Sequence, residues 1–264
     1  TDALAAAAAN AQVEGDEIAF TAVVPTSRIN NRTQISRKSV IVSGTQDTVN
    51  TAGRNQELAY QISKNAKELK RDMELVLCNN QSAAVGGAAA ARTSSGLASW
   101  IQTNINAIGA NGAVGGTDTP GILRTNGAQR AFTEAQLKGV AASTWNSGGD
   151  PSMIMLGSFN KQKLSGFTGG STKMTQADDK KLVAAIDIYE SDFGSMTVVP
   201  NRFSRSRDVF VLQPDMWAVA YLRDFQMIDL AKTGDAEKKA MLAEYTLVAK
   251  NEAANGAIFD LTTA

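Results

Sequence analysis

Residues 53–80 read GRNQELAYQISKNAKELKRDMELVLCNN, and the architecture of the whole chain turns on how that run folds. Leu58, Ile62, Ala66, Leu69, Met73 and Val76 recur at spacings of three and four, which is the period of one helix face. The opposite face carries Lys64, Lys67, Glu68, Lys70, Arg71, Asp72 and Glu74. Lys64 with Glu68 and Lys70 with Glu74 stand at i,i+4, where an ion pair is worth about 0.2–0.5 kcal/mol. Helical throughout, the segment is about 35–40 Å long. A helix with a single apolar stripe has one covered side, so it lies along a sheet or domain surface and does not pass through a centre.

Upstream, Glu17–Val24 (EIAFTAVV) and Gln34–Ser43 (QISRKSVIVS) are rich in β-branched residues and end at turn formers, which predicts two strands. Between them runs the polar stretch from Pro25 to Thr33, with Asn30-Asn31 at its middle. The simplest arrangement is a long hairpin with a wide polar tip. Its basic residues are Arg28, Arg32, Arg37 and Lys38, and no acid occurs between Glu17 and Asp47. An isolated two-stranded hairpin is marginal in water, so this one needs support from elsewhere. Residues 1–15 read as an arm: Ala5–Ala9 favour helix, but an all-alanine face buries little and gains order only by docking.

Downstream, Gln81–Arg92 (QSAAVGGAAAAR) reads as a flexible connection. Leu97, Trp100, Ile101 and Ile105 suggest a short helix, and residues 108–124, with Pro120-Gly121, a long loop. Thr133 and Gln136 have capping-box spacing, with Leu137 and Val140 as the buried face of the helix that follows. Ser152–Leu156 reads as a strand, and Ser158–Gly166 as a helix capped by Ser158 and stopped by Gly166. Leu182–Glu190, Ser195–Val199, Asp208–Gln213, Met216–Leu222, Phe225–Leu230, Ala243–Lys250 and Ala257–Leu261 follow as strands in meander order, with a turn at Thr233-Gly234-Asp235. A few helices and a late run of strands give an α+β class, not a doubly wound parallel sheet.

The 264 residues allow one large domain or two modest ones, and 43% hydrophobic residues suffice for a core without disulfide or metal. Lys plus Arg equals Asp plus Glu, 26 each, so no global field draws the chain to nucleic acid or an anionic membrane. Histidine is absent, which excludes Ser-His-Asp and Cys-His catalysis and His-ligated metal. The single cysteine, Cys78, excludes an intrachain disulfide and multi-Cys metal sites. It reads as a small core residue, since a nucleophile there would need a different activator. No apolar run reaches the length of a membrane helix.

Other motifs carry little. Gly169-Gly170-Ser171-Thr172-Lys173 has the wrong order and spacing for a phosphate loop. Asp178-Asp179-Lys180-Lys181 is a solvated charge cluster. Asn31-Arg32-Thr33 and Asn80-Gln81-Ser82 match the glycosylation sequon, which arises often by chance. A second basic cluster, Arg202, Arg205 and Arg207, lies between two strands. Basic clusters fit phosphate or the acidic patch of a partner, and also plain exposed loop charge. No aromatics interleave with either cluster, which argues against a stacking platform for single strands.

The order of segments resembles the major capsid proteins of tailed phages, with the Hong Kong 97-like fold. Local strings resemble one branch of that family: Asn31-Arg32-Thr33-Gln34-Ile35, Val42-Ser43-Gly44-Thr45-Gln46, Glu57-Leu58-Ala59-Tyr60-Gln61, Glu68-Leu69-Lys70-Arg71-Asp72-Met73-Glu74, Ser191-Asp192-Phe193-Gly194, Leu230-Ala231-Lys232-Thr233-Gly234-Asp235, Glu244-Tyr245-Thr246-Leu247 and Asn251-Glu252-Ala253-Ala254-Asn255-Gly256. The similarity runs from about Gln34 to the end, and order and spacing carry it more than any one string.

The resemblance implies an N-terminal arm over 1–14, an extended hairpin (E-loop) over 15–44, and a peripheral (P) domain over 45–132 with a spine helix over 53–80. It implies an axial (A) domain over 133–222, a return to P-domain strands over 223–254, and a last A-domain strand over 255–264. It implies a structural subunit without catalytic residues, cofactor or metal. Such a subunit self-assembles into the hexamers and pentamers of an icosahedral shell around double-stranded DNA, held without sequence-specific binding. Candidates for contacts between subunits are Arg28, Arg32, Arg37, Lys38, Glu57, Arg71, Arg202 and Arg205. Implied partners are further copies and, in the family, portal, scaffold, maturation protease and decoration proteins, with no membrane. The place is the virion capsid, after assembly in the host cytoplasm. The chain starts at Thr1 without Met, which fits both removal of an N-terminal segment in maturation and a cropped sequence. Some relatives crosslink a Lys to an Asn; Lys38 lies in the hairpin, but no local motif marks a reactive pair. Other readings are an encapsulin-type shell around cargo enzymes, a nucleic-acid-binding protein using the basic hairpin, and, with least support, an enzyme.

Overall fold

The computed structural model describes residues 8–18, 20, 22–23, 29–49, 53, 56–109, 123–167 and 187–263. In chain order the elements are β1 (Gln34–Ser43), α1 (Gly44–Thr48), α2 (Glu57–Cys78), α3 (Leu97–Trp100), β2 (Asn104–Asn106), α4 (Glu134–Asn146), β3 (Met153–Leu156), α5 (Ser158–Ser165), β4 (Ile188–Ser191), β5 (Gly194–Pro200), β6 (Val209–Leu212), β7 (Trp217–Asp229), β8 (Ala236–Ala249) and β9 (Gly256–Ile258). The mixed α+β class is the expected one.

The long helix α2 has 22 residues, about 33 Å. It stops at Cys78, because Asn79 turns extended at φ −87°, ψ 167°. Leu69 and Met73 of the expected stripe are buried against Ala243 and Tyr245 of β8, while Leu58, Ile62, Ala66 and Val76 are half-buried. Lys64 and Glu68 do pair, at 3.8 Å. The expected Lys70–Glu74 pair gives way to other partners. The Lys70 ammonium lies 5.7 Å from the Phe225 ring centre, and Glu74 Oε1 accepts from Asn201 Nδ2 at 2.7 Å.

Under α2 lies a three-stranded sheet in the order β1-β8-β7. This corrects the hairpin reading of the sequence. β1 pairs antiparallel with β8 along its whole length, from Gln34↔Tyr245 to Ser43↔Ala236, and none of the described residues of 17–23 lies in a strand beside it. The described residues of 15–33 form no strand. The physical reason is cover. Beside β8, the face of β1 that carries Ser36, Lys38 and Val42 sits beneath α2, whereas a free hairpin covers neither of its faces. Two other expected strands fuse. Met216–Leu222 and Phe225–Leu230 form the single strand β7, which passes Tyr221/Arg223 and Arg223/Gln226 through irregularities in its pairing with β8. Residues 217–222, expected in the A domain, thus lie in this sheet, and β8 begins seven residues earlier than expected, at Ala236.

The second sheet has the order β2-β9-β6-β3-β5-β4. β2 runs parallel to β9, and β3 parallel to β5; the other neighbours are antiparallel. Ile105, expected in a helix, belongs to β2, which joins residues 104–106 to this sheet and not to the sheet of β1, β7 and β8. β3 and β6 are covered on both faces, as their unbroken apolar runs require. On one side Leu137, Val140 and Ala141 of α4 and Leu164 of α5 meet Ile154, Leu156, Val209, Val211 and Ile258. On the other, Met155, Phe210, Leu212, Ala257 and Phe259 meet Cys78, Leu97, Trp100, Ile101 and Leu247. The latter cluster draws on α2 and β8, so it welds the two sheets together.

Local signals explain the joints. Thr133 and Gln136 form the capping box, with Gln136 Oε1 accepting from the Thr133 amide at 3.1 Å. Ser158 is the first helical residue of α5 and not its cap; Gly157 holds the cap position without a side chain, while Gly166 ends the helix as expected. A Cβ at Gly256 would stand 2.4 Å from Val140 Cγ1, so α4 rests directly on the β9 backbone. Gln81–Arg92, expected to be flexible, closes with a bridge between Ala84 and Thr93. The glycine-rich run 169–173, the charge cluster 178–181, Pro120-Gly121 and the start of the expected strand at 182 lie outside the described residues.

Candidate assembly surfaces

Residues 8–18, 20 and 22–23 are exposed throughout. Their hydrogen bonds are local, such as Asp16 N–H to the Val13 carbonyl at 3.2 Å and Glu17 N–H to Asp16 Oδ1 at 2.9 Å. Ile18, Phe20 and Val23 are 77%, 94% and 93% exposed. Large apolar side chains held this far out lose the burial that drives folding, about 1.5–3 kcal/mol each.

A second bare surface lies on the three-stranded sheet. Strand side chains alternate between faces. Lys38 reaches Asp72 of α2 at 2.8 Å and Ser36 contacts the Tyr245 hydroxyl at 3.1 Å, so these mark the helix side. Ile35, Arg37 and Ile41 therefore occupy the opposite side, and all three are exposed. Ile228, opposite Ala240, continues that side on β7, and it too is exposed. The sheet has one face under a helix and one open face on which Ile35, Ile41 and Ile228 stand with Arg37 and Lys238.

The arm's root is fastened firmly. Asn31 Nδ2 donates to the Leu247 carbonyl at 2.8 Å, and Asn31 Oδ1 accepts from Ser95 N–H at 2.9 Å. Thr33 Oγ1 donates to Glu244 Oε1 at 2.8 Å, while Arg223 Nε meets Glu244 Oε2 at 2.8 Å and Arg92 pairs with Oε1. Burial pushes the Glu244 carboxyl up, but the Thr33 and Arg223 hydrogen bonds and the charges of Arg223 and Arg92 prevail and hold it below the usual carboxylate range. The sequon asparagines are structural: Asn80 Nδ2 donates to the Arg124 carbonyl at 2.7 Å, as Asn31 does to Leu247.

A second buried charge cluster anchors the chain's last strand. Asp260, at φ 62°, accepts from Arg124 at 3.0 Å and Arg207 at 2.9 Å. It also accepts from the amides of Ile108, Gly109 and Gly127. Burial raises its pKa, yet the amides of Gly109 and Gly127 and the charge of Arg124 bring it below the ordinary value. Neighbouring Asp208 keeps less support. Burial pushes its carboxyl up to about 6, against the pull of Arg205, Arg124 and Arg207. Nothing in the sequence marked Asp260, Arg124, Arg92 or Glu244, because their partners are 136 and 152 positions away.

The residues singled out from sequence scatter. Arg28 lies outside the described residues. Arg32 is half-buried, its amide bonded to Asn31 Oδ1 at 2.8 Å. Arg37 and Lys38 point to opposite faces of β1, so they form no common patch, and Asp72 holds the Lys38 ammonium above its usual pKa. Glu57 is buried in the first turn of α2 and accepts from Gln61 at 2.6 Å. Arg205 turns inward to Asp208 at 3.1 Å and to Asn126. Arg71 and Arg202 do come together: they line one open cleft with Lys70, Glu74, Asn201 and Phe203, and the Arg71 guanidinium lies 5.5 Å from the Phe203 ring centre. Cys78 is buried, and burial pushes its thiol up to about 12, so it is no nucleophile. Among the described residues no group of three His, Cys, Asp or Glu is placed to hold a metal ion.

A firmly held segment 29–33, an arm bare along its described length and an uncovered sheet face define a protein that builds larger structures from repeated copies. The comparisons agree. A family model described as the SU10 major capsid protein matches residues 1–262, and the chain belongs to that family: it is a shell subunit of a phage capsid. It is 29% identical, over an alignment 305 positions long, to the major capsid protein of Escherichia phage Phieco32, covering 98% of this chain and 84% of that protein. Its fold matches a chain of the satellite phage P4 procapsid with a TM-score of 0.58 at 10% identity, covering 98% of this chain and 80% of that one. It also matches the SrpI encapsulin of Synechococcus elongatus PCC 7942 with a TM-score of 0.55 at 9% identity, covering 88% and 75%. The fold is the Hong Kong 97 type.

Proposed function

We propose that this capsid subunit assembles as hexamers and pentamers into a closed icosahedral shell around double-stranded DNA, in the host cytoplasm, without catalytic activity. The observation that carries the assembly mode is the pair of bare surfaces in one chain. The arm, exposed over its described residues 8–18, 20 and 22–23, has apolar residues and the acids Glu14, Asp16 and Glu17. The open sheet face has Ile35, Ile41 and Ile228 beside Arg37. Each supplies what the other lacks, and a heterologous contact of this kind repeats around a ring until it closes. In this reading α2 with the three-stranded sheet forms the P domain and the six-stranded sheet the A domain. The stretch 15–44 divides into an arm that reaches a neighbour and a strand, β1, that stays at home. Of the contact candidates read from sequence and described in the structure, Arg37 is the one on that sheet face. Portal, scaffold, protease and decoration proteins are partners the family reading adds.

The test is sizing with light scattering, followed by negative-stain microscopy of the largest species. Deleting residues 8–23 is expected to leave a folded subunit that forms weaker shells or none; shells of unchanged stability refute the arm's role. Deletion from Pro25 to Thr33 is less clean, since it removes Asn31 and Thr33, which hold the body together. The encapsulin-type reading shares the fold, and particles whose absorbance is that of protein alone, with enzyme cargo, decide for it.

A further inference from the structure

In sequence, the 57–78 run is balanced: Glu57, Glu68, Asp72 and Glu74 against Lys64, Lys67, Lys70 and Arg71. Folding separates the signs. Glu57 is buried beside Gln61. Asp72 turns to Lys38 of β1 at 2.8 Å, and Glu74 turns to Asn201 at 2.7 Å. Glu68 is half-buried, 3.8 Å from Lys64. Lys64, Lys67, Lys70 and Arg71 are all exposed. Exposed Arg202 lines the open cleft together with Lys70, Arg71 and Glu74. The outer side of α2 is thus a cationic stripe on a chain whose net charge is zero.

We propose that this stripe is the part of the subunit that meets the phosphates of packaged duplex DNA, which sets the α2 side of the shell toward the lumen. The inference rests on the reading that the shell encloses DNA. Lys64 to Arg71 span about 10 Å along the helix axis. That is about three phosphates along one strand, whose axial spacing is about 3.4 Å. Exposed lysines on flexible stems neutralise a polyanion without demanding a sequence. Phe203 and Phe225 at the stripe's edge already carry Arg71 and Lys70 on their rings, so they offer no stacking platform for unpaired bases. The acidic arm of another copy is the competing occupant. Its Glu14, Asp16 and Glu17 are embedded among Val13, Ile18 and Phe20, which need an apolar bed. The sheet face gathers Ile35, Ile41 and Ile228, whereas the exposed large apolar side chains of the stripe, Tyr60 and Leu75, stand about 22 Å apart at its two ends.

The experiment fixes purified particles with formaldehyde and maps DNA-linked peptides by mass spectrometry. Lys64, Lys67 and Lys70 are expected to dominate, and a variant with Lys64, Lys67, Lys70 and Arg71 all changed to Gln is expected to lower the yield several-fold. Gln is a good helix former, and circular dichroism checks that α2 persists; Lys67→Gln with Lys70→Gln serves if the fuller variant misfolds. Binding of unassembled full-length chain to a short duplex gives an independent reading. The log–log salt slope should fall by about 2.7 in the fuller variant, at about 0.9 for each of about three phosphates no longer neutralised. DNA-filled particles whose crosslinks spare α2, an unchanged salt slope, or carbodiimide links from α2 lysines to Glu14, Asp16 or Glu17 of a second copy each overturn the inference. Particles without nucleic acid refute the DNA reading beneath it instead.

Discussion

Replacing Asp260 is the perturbation whose cost the structure defines most closely. Its side chain is 1% exposed and that of its partner Arg124 is 3% exposed, so removing the carboxylate strands a guanidinium with almost no access to water. Breaking a buried pair in this way costs about 3–5 kcal/mol. The amides of Ile108, Gly109 and Gly127 lose their acceptor at the same time, which keeps the loss away from the bottom of that range. The backbone adds a separate effect. At φ 62° alanine is strained by about 1–2 kcal/mol, whereas glycine is not. Asp260→Gly should therefore cost about 4 kcal/mol, and Asp260→Ala about 1 kcal/mol more. The assay is urea unfolding of the unassembled subunit by tryptophan fluorescence, since assembly would add its own stability. With a slope of about 3 kcal/mol per molar urea, the glycine variant's midpoint should fall by about 1.3 M. The folded pKa of Asp260 lies below its unfolded value, so its contribution is present above the ordinary carboxylate range and is lost as pH falls through the folded pKa. Variant and parent should converge in acid. A loss under about 1 kcal/mol, or equal losses for glycine and alanine, would refute this account of the cluster.

Three further outcomes follow from the same physical reasoning. Glu244→Gln should cost less, about 1–2 kcal/mol, because Arg92 and Arg223 are 39% and 44% exposed and water takes up their charge; urea midpoints that match those of Asp260→Gly would contradict this. Asp208 has the opposite sign from Asp260. Its folded pKa of about 6 lies above the ordinary value, so the folded state holds the extra proton and stability falls as pH rises from about 4 to about 6. Asp208→Asn should flatten that slope in melting curves, and a slope that survives the change removes Asp208 as its source. Cys78, buried with its thiol pushed up to about 12, should resist a thiol-specific dye in the native subunit and react at once in urea; rapid native labelling would show that α2 and β3 part readily.

Sequence alone determined the elements whose signal is local and periodic. α2 follows from apolar residues recurring every three or four positions, β3 and β6 from short unbroken apolar runs, α4 from the Thr133–Gln136 box, and the end of α5 and the turn between β7 and β8 from Gly166 and Gly234. The absence of histidine and the single cysteine narrowed the chemistry before any fold was known. Order and spacing of short strings pointed to the family, since those survive where individual residues drift. What only the tertiary structure decided is pairing at a distance. Strand propensity at Gln34–Ser43 states that a strand forms but not with whom; its pairing with β8, near the far end of the chain, is favoured by the helix that covers both. The candidate contact residues were legible as charges and not as sites, because β alternation sends Arg37 and Lys38 to opposite faces and burial turns Glu57 and Arg205 inward. Asp260 and Glu244 carry their clusters through partners brought from distant parts of the chain, and a charge becomes costly or stabilising only when folding decides whether water can still reach it.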